Sequence, residues 1–164
     1  MEYHFESMKE EHRKAVIDVY NYFIENTFAA YPEEKVEYEF FDYFLGMTRG
    51  YPAIVVKSDG GEVVGFAFLS AVNLSETFQK TAGISYFILP EYTRHGIGRS
   101  ILDRFEAEAA EMEIVTLLAH FSSQNADSVK FHARNGFVEC GRFQDVGTKF
   151  GRSFDVIWMQ KRVK

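Results

Sequence analysis

Gly96 and Gly98 stand where an apolar segment gives way to a helical pattern, in the stretch YFILPEYTRHGIGRSIL (residues 86–102). Glycines at such a junction allow unusual backbone angles and close approach of the chain to a ligand. The main-chain amides of residues 94–99 would then point into one small space at the positive end of a helix dipole, where a phosphate group is stabilised. The spacing predicts an anion-binding turn, and its charged side chains are those of Arg94, His95 and Arg99.

This turn fits neither of two common nucleotide-binding patterns. A G-x-G-x-x-G fingerprint would place its third glycine at position 101, which is Ile101. A G-x-x-x-x-G-K-[ST] loop does not match the turn either. Hydride transfer with a dinucleotide and hydrolysis of a nucleoside triphosphate are therefore disfavoured. A purely steric role for the two glycines stays open as the alternative.

Two segments together resemble the signatures of the GCN5-related N-acetyltransferase (GNAT) family. Residues 86–102 are similar to its acetyl-CoA motif, a strand, a proline and a [QR]-x-x-G-x-[GA] turn, with Thr93 in place of the usual Gln or Arg. Residues 125–137, NADSVKFHARNGF, resemble the N-x-x-[AS]-x-x-[LF]-[YH]-x-x-x-G-F segment of the family. Within the family, VGTKFGR (residues 146–152) is similar to the phosphinothricin acetyltransferase type.

The resemblance implies an enzyme that moves an acetyl group from acetyl-CoA to the primary amine of a small molecule. The expected acceptors are amino-acid analogues such as phosphinothricin or methionine sulfoximine. Two alternatives stay open: a non-catalytic acyl-CoA-binding module, and an acetyltransferase for protein amino termini or lysines. No metal is expected, because the five histidines form no i, i+4 pair and Cys140 has no partner cysteine.

The resemblance also assigns residues to the co-substrate. The free edge of the strand at residues 87–89 is expected to pair with the pantetheine arm. An amide near Phe87 or Ile88 is expected to stabilise the oxyanion of the reaction. Asn125 is expected to reach the pantetheine, with a helix N-cap as an equal interpretation. The predicted cofactor-binding set is Phe87, Ile88, Leu89, Arg94, His95, Gly96, Ile97, Gly98, Arg99, Asn125 and Ser128.

His132 is the candidate proton donor. It stands where many members of the family carry a tyrosine that protonates the departing thiolate. An imidazole can do this near neutral pH, because its ordinary pKa is about 6.5. The alternative is a histidine on a helix face that is bonded to a neighbour.

The candidate base is His120. The phosphinothricin type carries a glutamate proposed as the base, and Gly83 occupies its place here. His120 lies at the end of the strand predicted at 115–119, beside the expected cleft. A solvent-exposed histidine at a strand end is the alternative, and Glu76 and Tyr86 are weaker candidates for the base.

Substrate-binding residues are expected in two places. Lys149, Phe150 and Arg152 fall in the predicted turn between the last two strands, where a cation could meet a substrate carboxylate or phosphinate. Solvated surface cations are the alternative. The aromatic residues Phe28 and Tyr31, after the first helix, are also assigned to the substrate side.

The elements that must position these residues follow from the hydrophobic pattern. Helical spacing predicts helices that end near Thr27, follow Pro32, begin near Ile97 and span residues 126–135. Strands are predicted at residues 3–5, 53–56, 63–69, 81–89, 115–119, 137–146 and 154–160. The predicted fold class is α/β (α+β). The resemblance implies more detail: a mixed, mostly antiparallel sheet of about seven strands, with a splayed parallel pair in the middle and about four flanking helices.

The bulk properties set the remaining expectations. A chain of 164 residues predicts one domain, residues 1–164. The net charge of −6, without a Lys/Arg cluster, disfavours nucleic-acid and anionic-membrane partners. A single cysteine and the lack of a signal or spanning segment predict a soluble cytoplasmic protein. Association into a homodimer stays open.

Overall fold

The computed structural model describes residues 1–163, which contain seven strands and four α-helices. The strands are β1 (Tyr3–Ser7), β2 (Ala53–Ser58), β3 (Val63–Ala71), β4 (Thr81–Ile88), β5 (Thr116–Ser122), β6 (Val138–Lys149) and β7 (Arg152–Arg162). The helices are α1 (Arg13–Asn26), α2 (Phe41–Met47), α3 (Ile97–Glu111) and α4 (Ala126–Arg134). One sheet has the order β1-β2-β3-β4-β5-β7-β6. The predicted fold class is confirmed.

The parallel pair lies in the middle of the sheet. β4 pairs with β5 only from Thr81↔Thr116 to Gly83↔Leu118, although β4 continues to Ile88 and β5 to Ser122. All the other neighbouring strands are antiparallel. The two parallel strands therefore part at mid-length and leave a gap in the sheet, as the family resemblance implied.

The two faces of the sheet are covered by different helices. Alternate side chains of a strand point to opposite faces. Ala82, Ile84 and Tyr86 of β4 pack on the same side as the buried face of α3, which includes Ile101. Phe87 packs on the opposite side, in the core that contains the buried residues of α1 and α2. Among residues 1–163, no helix is both long enough and apolar enough to cross a membrane.

Several boundaries differ from the sequence prediction, and those nearest the expected site matter most. β5 extends beyond residue 119 because β7 pairs with it as far as Ser122↔Val156, so His120 lies within the strand. Lys149 and Arg152 lie in strands, because the connecting turn consists only of Phe150 and Gly151, with φ angles of 54° and 71°. Positive φ at both central residues is typical of a tight hairpin turn. The second helix begins only at residue 41, after one 3-10 turn at Tyr38–Phe40.

Candidate active site

The glycine turn has the backbone geometry expected of an anion site. Gly96 has a φ of 83° and is the N-cap of α3. The first hydrogen bond of this helix runs from the Ser100 amide to the Gly96 carbonyl at 3.0 Å. Within residues 1–163, the amides of residues 94–99 have no hydrogen-bond acceptor. The turn therefore presents six available donors at the positive end of a helix, which fits a diphosphate.

Gly98 has a packing role that the sequence did not reveal. A Cβ atom at this position would lie 3.2 Å from the ring of Phe131 in α4. The glycine therefore permits the start of α3 to lie against α4. Only Gly96, with its positive φ, is required by the turn conformation itself.

The basic side chains of the turn differ in availability. Arg94 and His95 are exposed. The Arg99 guanidinium donates to Asp103 at 2.9 Å and to Asn135 at 2.7 Å. Arg99 therefore connects α3 to the end of α4, and the basic side chains left to meet an anion at this turn are Arg94 and His95.

The register of β4 separates the two predicted oxyanion donors. The Leu89 amide donates to the Val64 carbonyl at 2.9 Å. Because the backbone groups of successive residues alternate between the two neighbouring strands, the Phe87 amide also faces β3. The amides of Tyr86 and Ile88 face the gap. Of the two candidates, only Ile88 fits an oxyanion donor, and the assignment to the Phe87 amide does not fit this register.

His132 is held by both ring nitrogens. Its Nδ1–H donates to the Ser128 carbonyl at 2.7 Å, and its Nε2 accepts from the Tyr86 hydroxyl. The side chain is 3% exposed and packs against Phe121 and Phe137. Burial lowers the pKa of His132 to about 4. The imidazole is therefore neutral at pH 7, and the expectation that it protonates a thiolate does not fit these contacts.

The first turn of α4 explains two residues of the predicted cofactor-binding set, Asn125 and Ser128. The side-chain oxygen of Asn125 accepts the Ser128 amide at 3.4 Å, so Asn125 is the N-cap of this helix. The Ser128 carbonyl accepts the bond from His132. Both residues therefore support the orientation of His132 and, through it, of Tyr86.

His120 lies on the opposite face of the parted strands. Gly83 is opposite Leu118, and His120 is two residues further along β5 on the same face. The His120 Nδ1 forms a 3.0 Å hydrogen bond with the Tyr31 hydroxyl. Its ring packs against that of Trp158 at a centroid distance of 4.5 Å, and burial lowers its pKa. His120 is exposed, as the alternative interpretation expected, and these two contacts hold its imidazole beside the gap.

Gly83 leaves space on this face of the sheet. A Cβ atom built there would have its nearest contact at 3.5 Å, with the Ser70 hydroxyl, which is an ordinary separation. The position could therefore carry a side chain without displacing its neighbours. The structure offers His120 and Tyr31 on the same face as this unused space.

Lys149 is not available to a substrate. Its side chain is 1% exposed, and its ammonium group donates to the carbonyls of Thr27 at 2.7 Å and Ala30 at 2.6 Å. Burial lowers its pKa. The prediction that Lys149 binds a carboxylate is therefore wrong. The residue connects the segment after α1, which carries Tyr31, to the end of β6.

The other predicted substrate residues lie close together. Arg152 donates to Gln124 at 2.9 Å, and its guanidinium lies 5.6 Å from the ring centre of Phe28. The ring centres of Phe28 and Phe150 are 5.6 Å apart. Sequence reasoning missed Trp158, the only tryptophan of the chain, which is paired with His120 across β5 and β7.

Comparison with known proteins identifies the family. Residues 16–137, about three quarters of the chain, match the model of the acetyltransferase (GNAT) family. The chain belongs to this family. This acetyltransferase is 31% identical over 148 residues to the L-amino acid N-acyltransferase MnaT of Escherichia coli, a match that covers 89% of this chain and 86% of the relative. It is 27% identical over 162 residues to a phosphinothricin N-acetyltransferase of Streptomyces coelicolor, covering 93% of this chain and 91% of that protein.

A solved relative also matches in three dimensions. YncA of Salmonella typhimurium, described as a putative acetyltransferase with its cofactor acetyl-CoA, superposes with a TM-score of 0.88 at 26% identity. The match covers 99% of this chain and 94% of that structure. The predicted family, its phosphinothricin acetyltransferase type and the use of acetyl-CoA are confirmed. The protein is an acetyl-CoA-dependent N-acetyltransferase, and its turn at residues 94–99 fits the diphosphate of that co-substrate.

Proposed function

We propose that this acetyltransferase acts on the primary amine of a small molecule in the cytoplasm, as one domain spanning residues 1–164, with His120 as its base. The observation that carries the proposal is the position of His120 beside the parted strands, on the face opposite Tyr86 and His132. MnaT is named for L-amino acids and the Streptomyces relative for phosphinothricin, and both names support a small acceptor.

The hydrogen bond between His120 and Tyr31 supports the role of base. Burial raises the pKa of Tyr31 to about 12, so its hydroxyl stays protonated at neutral pH. When the Nδ1–H of His120 donates to the Tyr31 oxygen, Nε2 keeps its lone pair and can accept a proton from the amine. The resulting imidazolium keeps the same bond to Tyr31. No change of tautomer or ring orientation is required.

The remaining groups supply binding and electrostatic stabilisation. Acetyl-CoA supplies the thioester carbonyl that the amine attacks, and the new C–N bond replaces the C–S bond. We assign the diphosphate to the amides of residues 94–99 and the oxyanion to the Ile88 amide, which faces the gap. His132 stays neutral and holds the Tyr86 hydroxyl, so the thiolate takes its proton from water.

We also propose a homodimer that uses the β6 edge of the sheet. β6 pairs only with β7 and is exposed along nearly its whole length. It carries the exposed apolar side chains Val138, Phe143 and Val146. Exposed edge strands with apolar side chains commonly mark interaction sites. Sedimentation equilibrium at micromolar protein is expected to give twice the 18.9 kDa chain mass, and a monomer would contradict this part of the proposal.

The test of the activity is a product screen. The purified protein is incubated with acetyl-CoA and a panel of primary amines, amino acids and peptides with free amino termini, and products are detected by mass spectrometry. Acetylated small amines are the expected result. Binding of acetyl-CoA without any product would support the non-catalytic module instead. Preferential acetylation of peptides would support a protein acetyltransferase.

A further inference from the structure

The parted halves of β4 and β5 each carry an aromatic side chain at the same level. The last paired residues are Gly83 and Leu118, and Tyr86 and Phe121 lie three residues beyond them. Both side chains pack on the face of the sheet that α3 covers. In a continuous sheet the two strands would be about 4.8 Å apart at this level, and these side chains would be direct neighbours. A group that separates them would keep the gap open.

The imidazole of His132 contacts both of these side chains. Its ring centre lies 5.4 Å from that of Tyr86 and 4.6 Å from that of Phe121, and its Nε2 accepts the Tyr86 hydroxyl. Within residues 1–163, Tyr86 and Phe121 form no aromatic pair with each other. His132 therefore links the two strands from the side of α4, at a level beyond their last backbone pair.

His132 is itself held firmly in α4. Its Nδ1–H donates to the Ser128 carbonyl at 2.7 Å. Its own carbonyl accepts the amides of Asn135 at 3.1 Å and Phe137 at 3.0 Å, and the Phe137 ring packs edge to face against the imidazole at 4.9 Å. A buried ring with both nitrogens bonded has little freedom to move, so it can act as a spacer between the strands.

The same helix packs against the glycine turn. A Cβ atom at Gly98 would lie 3.2 Å from the ring of Phe131, the residue before His132. The Arg99 guanidinium donates to Asn135 at 2.7 Å. The start of α3, which presents the donors for the diphosphate, is thus fixed relative to His132. Because the pantetheine arm of acetyl-CoA is attached to the diphosphate, the gap has to lie at a set distance from the turn.

We propose that His132 is a positioning residue for the pantetheine arm, because it sets the width of the gap between β4 and β5. The arm carries amide groups, and the gap-facing edge of a strand offers bonding partners for them. These bonds form only when the parted strands keep a spacing that admits the arm. The role requires a neutral, buried ring and no proton transfer. This inference rests on the proposed function, which places the thioester beside Ile88 in the same gap.

The direct experiment compares the affinities of two ligands for the full-length protein by isothermal titration calorimetry. CoA carries the pantetheine arm, and 3′-phospho-ADP is the same molecule without it. His132→Ala removes the spacer and leaves the turn at residues 94–99 unchanged. We expect Kd for CoA to rise about tenfold, as for the loss of one or two net hydrogen bonds, and Kd for 3′-phospho-ADP to stay within about twofold. An unchanged Kd for CoA, or an equal rise for both ligands, would overturn the inference.

Three further variants separate the spacer from a general loss of stability. Tyr86→Phe removes only the hydroxyl bonded to His132 and should raise Kd for CoA about threefold. His132→Gln offers a carbonyl oxygen to that hydroxyl and should keep Kd for CoA within about threefold of the wild type. His4→Ala removes an exposed imidazole of β1 and should change neither affinity. If circular dichroism shows that His132→Ala does not fold, Tyr86→Phe decides, and wild-type affinity for CoA in that variant contradicts the spacer.

The failure of this inference differs from the failure of the proposed function, because binding is measured without any acetylation. If the protein acetylates small amines but the variants bind CoA as the wild type does, the function stands and the spacer is wrong. If His132→Ala loses affinity for CoA alone while the wild type acetylates no amine, the spacer stands and the proposed function is wrong.

Discussion

The two sides of the parted strands are built in different ways. On the co-substrate side, the diphosphate site is one uninterrupted segment, residues 94–99, whose main-chain amides provide the donors. The acceptor side consists of side chains from separate segments, and its central hydrogen bond joins Tyr31 to His120 across 89 positions of sequence. A backbone site tolerates changes of side chain, whereas a side-chain site depends on each residue and on the contacts that hold it.

This difference has a consequence for chemistry within one family. A diphosphate has the same shape in every reaction that uses the co-substrate, so a fixed backbone turn suits it. The acceptor varies, and side chains can change without disturbing the turn. Gly83, in place of the glutamate expected from the phosphinothricin type, is an example: the nearest histidine on that face of the sheet, His120, is bonded instead to a residue after α1.

The largest expected effect is the loss of the His120 imidazole. His120→Gln should lower kcat about 10³-fold, because removal of a general base typically costs 10²–10⁴. In the wild type, burial lowers the pKa of His120 below its usual 6.5, so kcat should rise with pH and level off before neutrality as the base loses its proton. The rise should vanish in the variant. Steady-state kinetics between pH 5 and 8 measure both effects.

Two further variants sharpen this result. His4→Gln changes an exposed histidine of β1 and should leave kcat unchanged. Gly83→Glu has room at its Cβ, so adding it to His120→Gln should restore part of the rate, about tenfold. Wild-type activity in His120→Gln alone would place the base elsewhere and remove the main difference between the two sides.

The second prediction concerns His132 and acid stability. Its folded-state pKa of about 4 lies below the unfolded value of 6.5, so the unfolded chain binds the proton first as pH falls. The stability that the neutral ring contributes is therefore present above pH 6.5 and is lost between pH 6.5 and about 4, at a cost of about 3 kcal/mol. Over the same pH interval, the free energy of unfolding of His132→Gln should fall by about 3 kcal/mol less than that of the wild type. Urea unfolding of both proteins at pH 7 and pH 4.5 measures the difference.

Equal losses in the wild type and in His132→Gln would contradict a buried neutral histidine. The kinetic comparison is also informative, since a histidine on the co-substrate side that only supports structure should leave the pH profile of kcat in place. The rise of kcat with pH should therefore be lost in His120→Gln and kept in His132→Gln. Loss of this rise in His132→Gln would place the titrating group on the other side of the gap.

The same contrast explains how much could be predicted from the sequence. The glycine turn is formed by residues that are adjacent in sequence. Spacing alone therefore predicted the strand before it, the helix after it and the amides that it presents. Lys149 could not be placed, because its acceptors include the Ala30 carbonyl, 119 positions away, and lysine is almost always exposed. The roles of Tyr31 and Trp158 also depend on strand register and loop packing. Periodicity predicts which residues share a face of a helix or strand. It does not predict which aromatic rings from distant parts of the sequence come into contact.

The third prediction tests the contact that positions Tyr31. Lys149→Met keeps the length of the side chain but leaves the buried carbonyls of Thr27 and Ala30 without their donor. We expect a loss of about 2 kcal/mol in unfolding free energy, with a lower kcat because Tyr31 is held less firmly. Lys14→Met, at an exposed i, i+4 ion pair with Asp18, is the matched control and should cost under about 0.5 kcal/mol. Equal stability of the two variants would show that Lys149 does not hold the acceptor side.

The smallest expected effect is on the co-substrate side. Arg94→Ala removes an exposed charge beside the glycine turn but none of the six amides. The dissociation constant for acetyl-CoA should therefore rise only about twofold at low salt, and the difference should disappear near 0.5 M salt as the charge is screened. Isothermal titration calorimetry at two ionic strengths measures this. A rise of more than tenfold in the dissociation constant would mean that a side chain dominates diphosphate binding. Both sides of the gap would then depend on side chains.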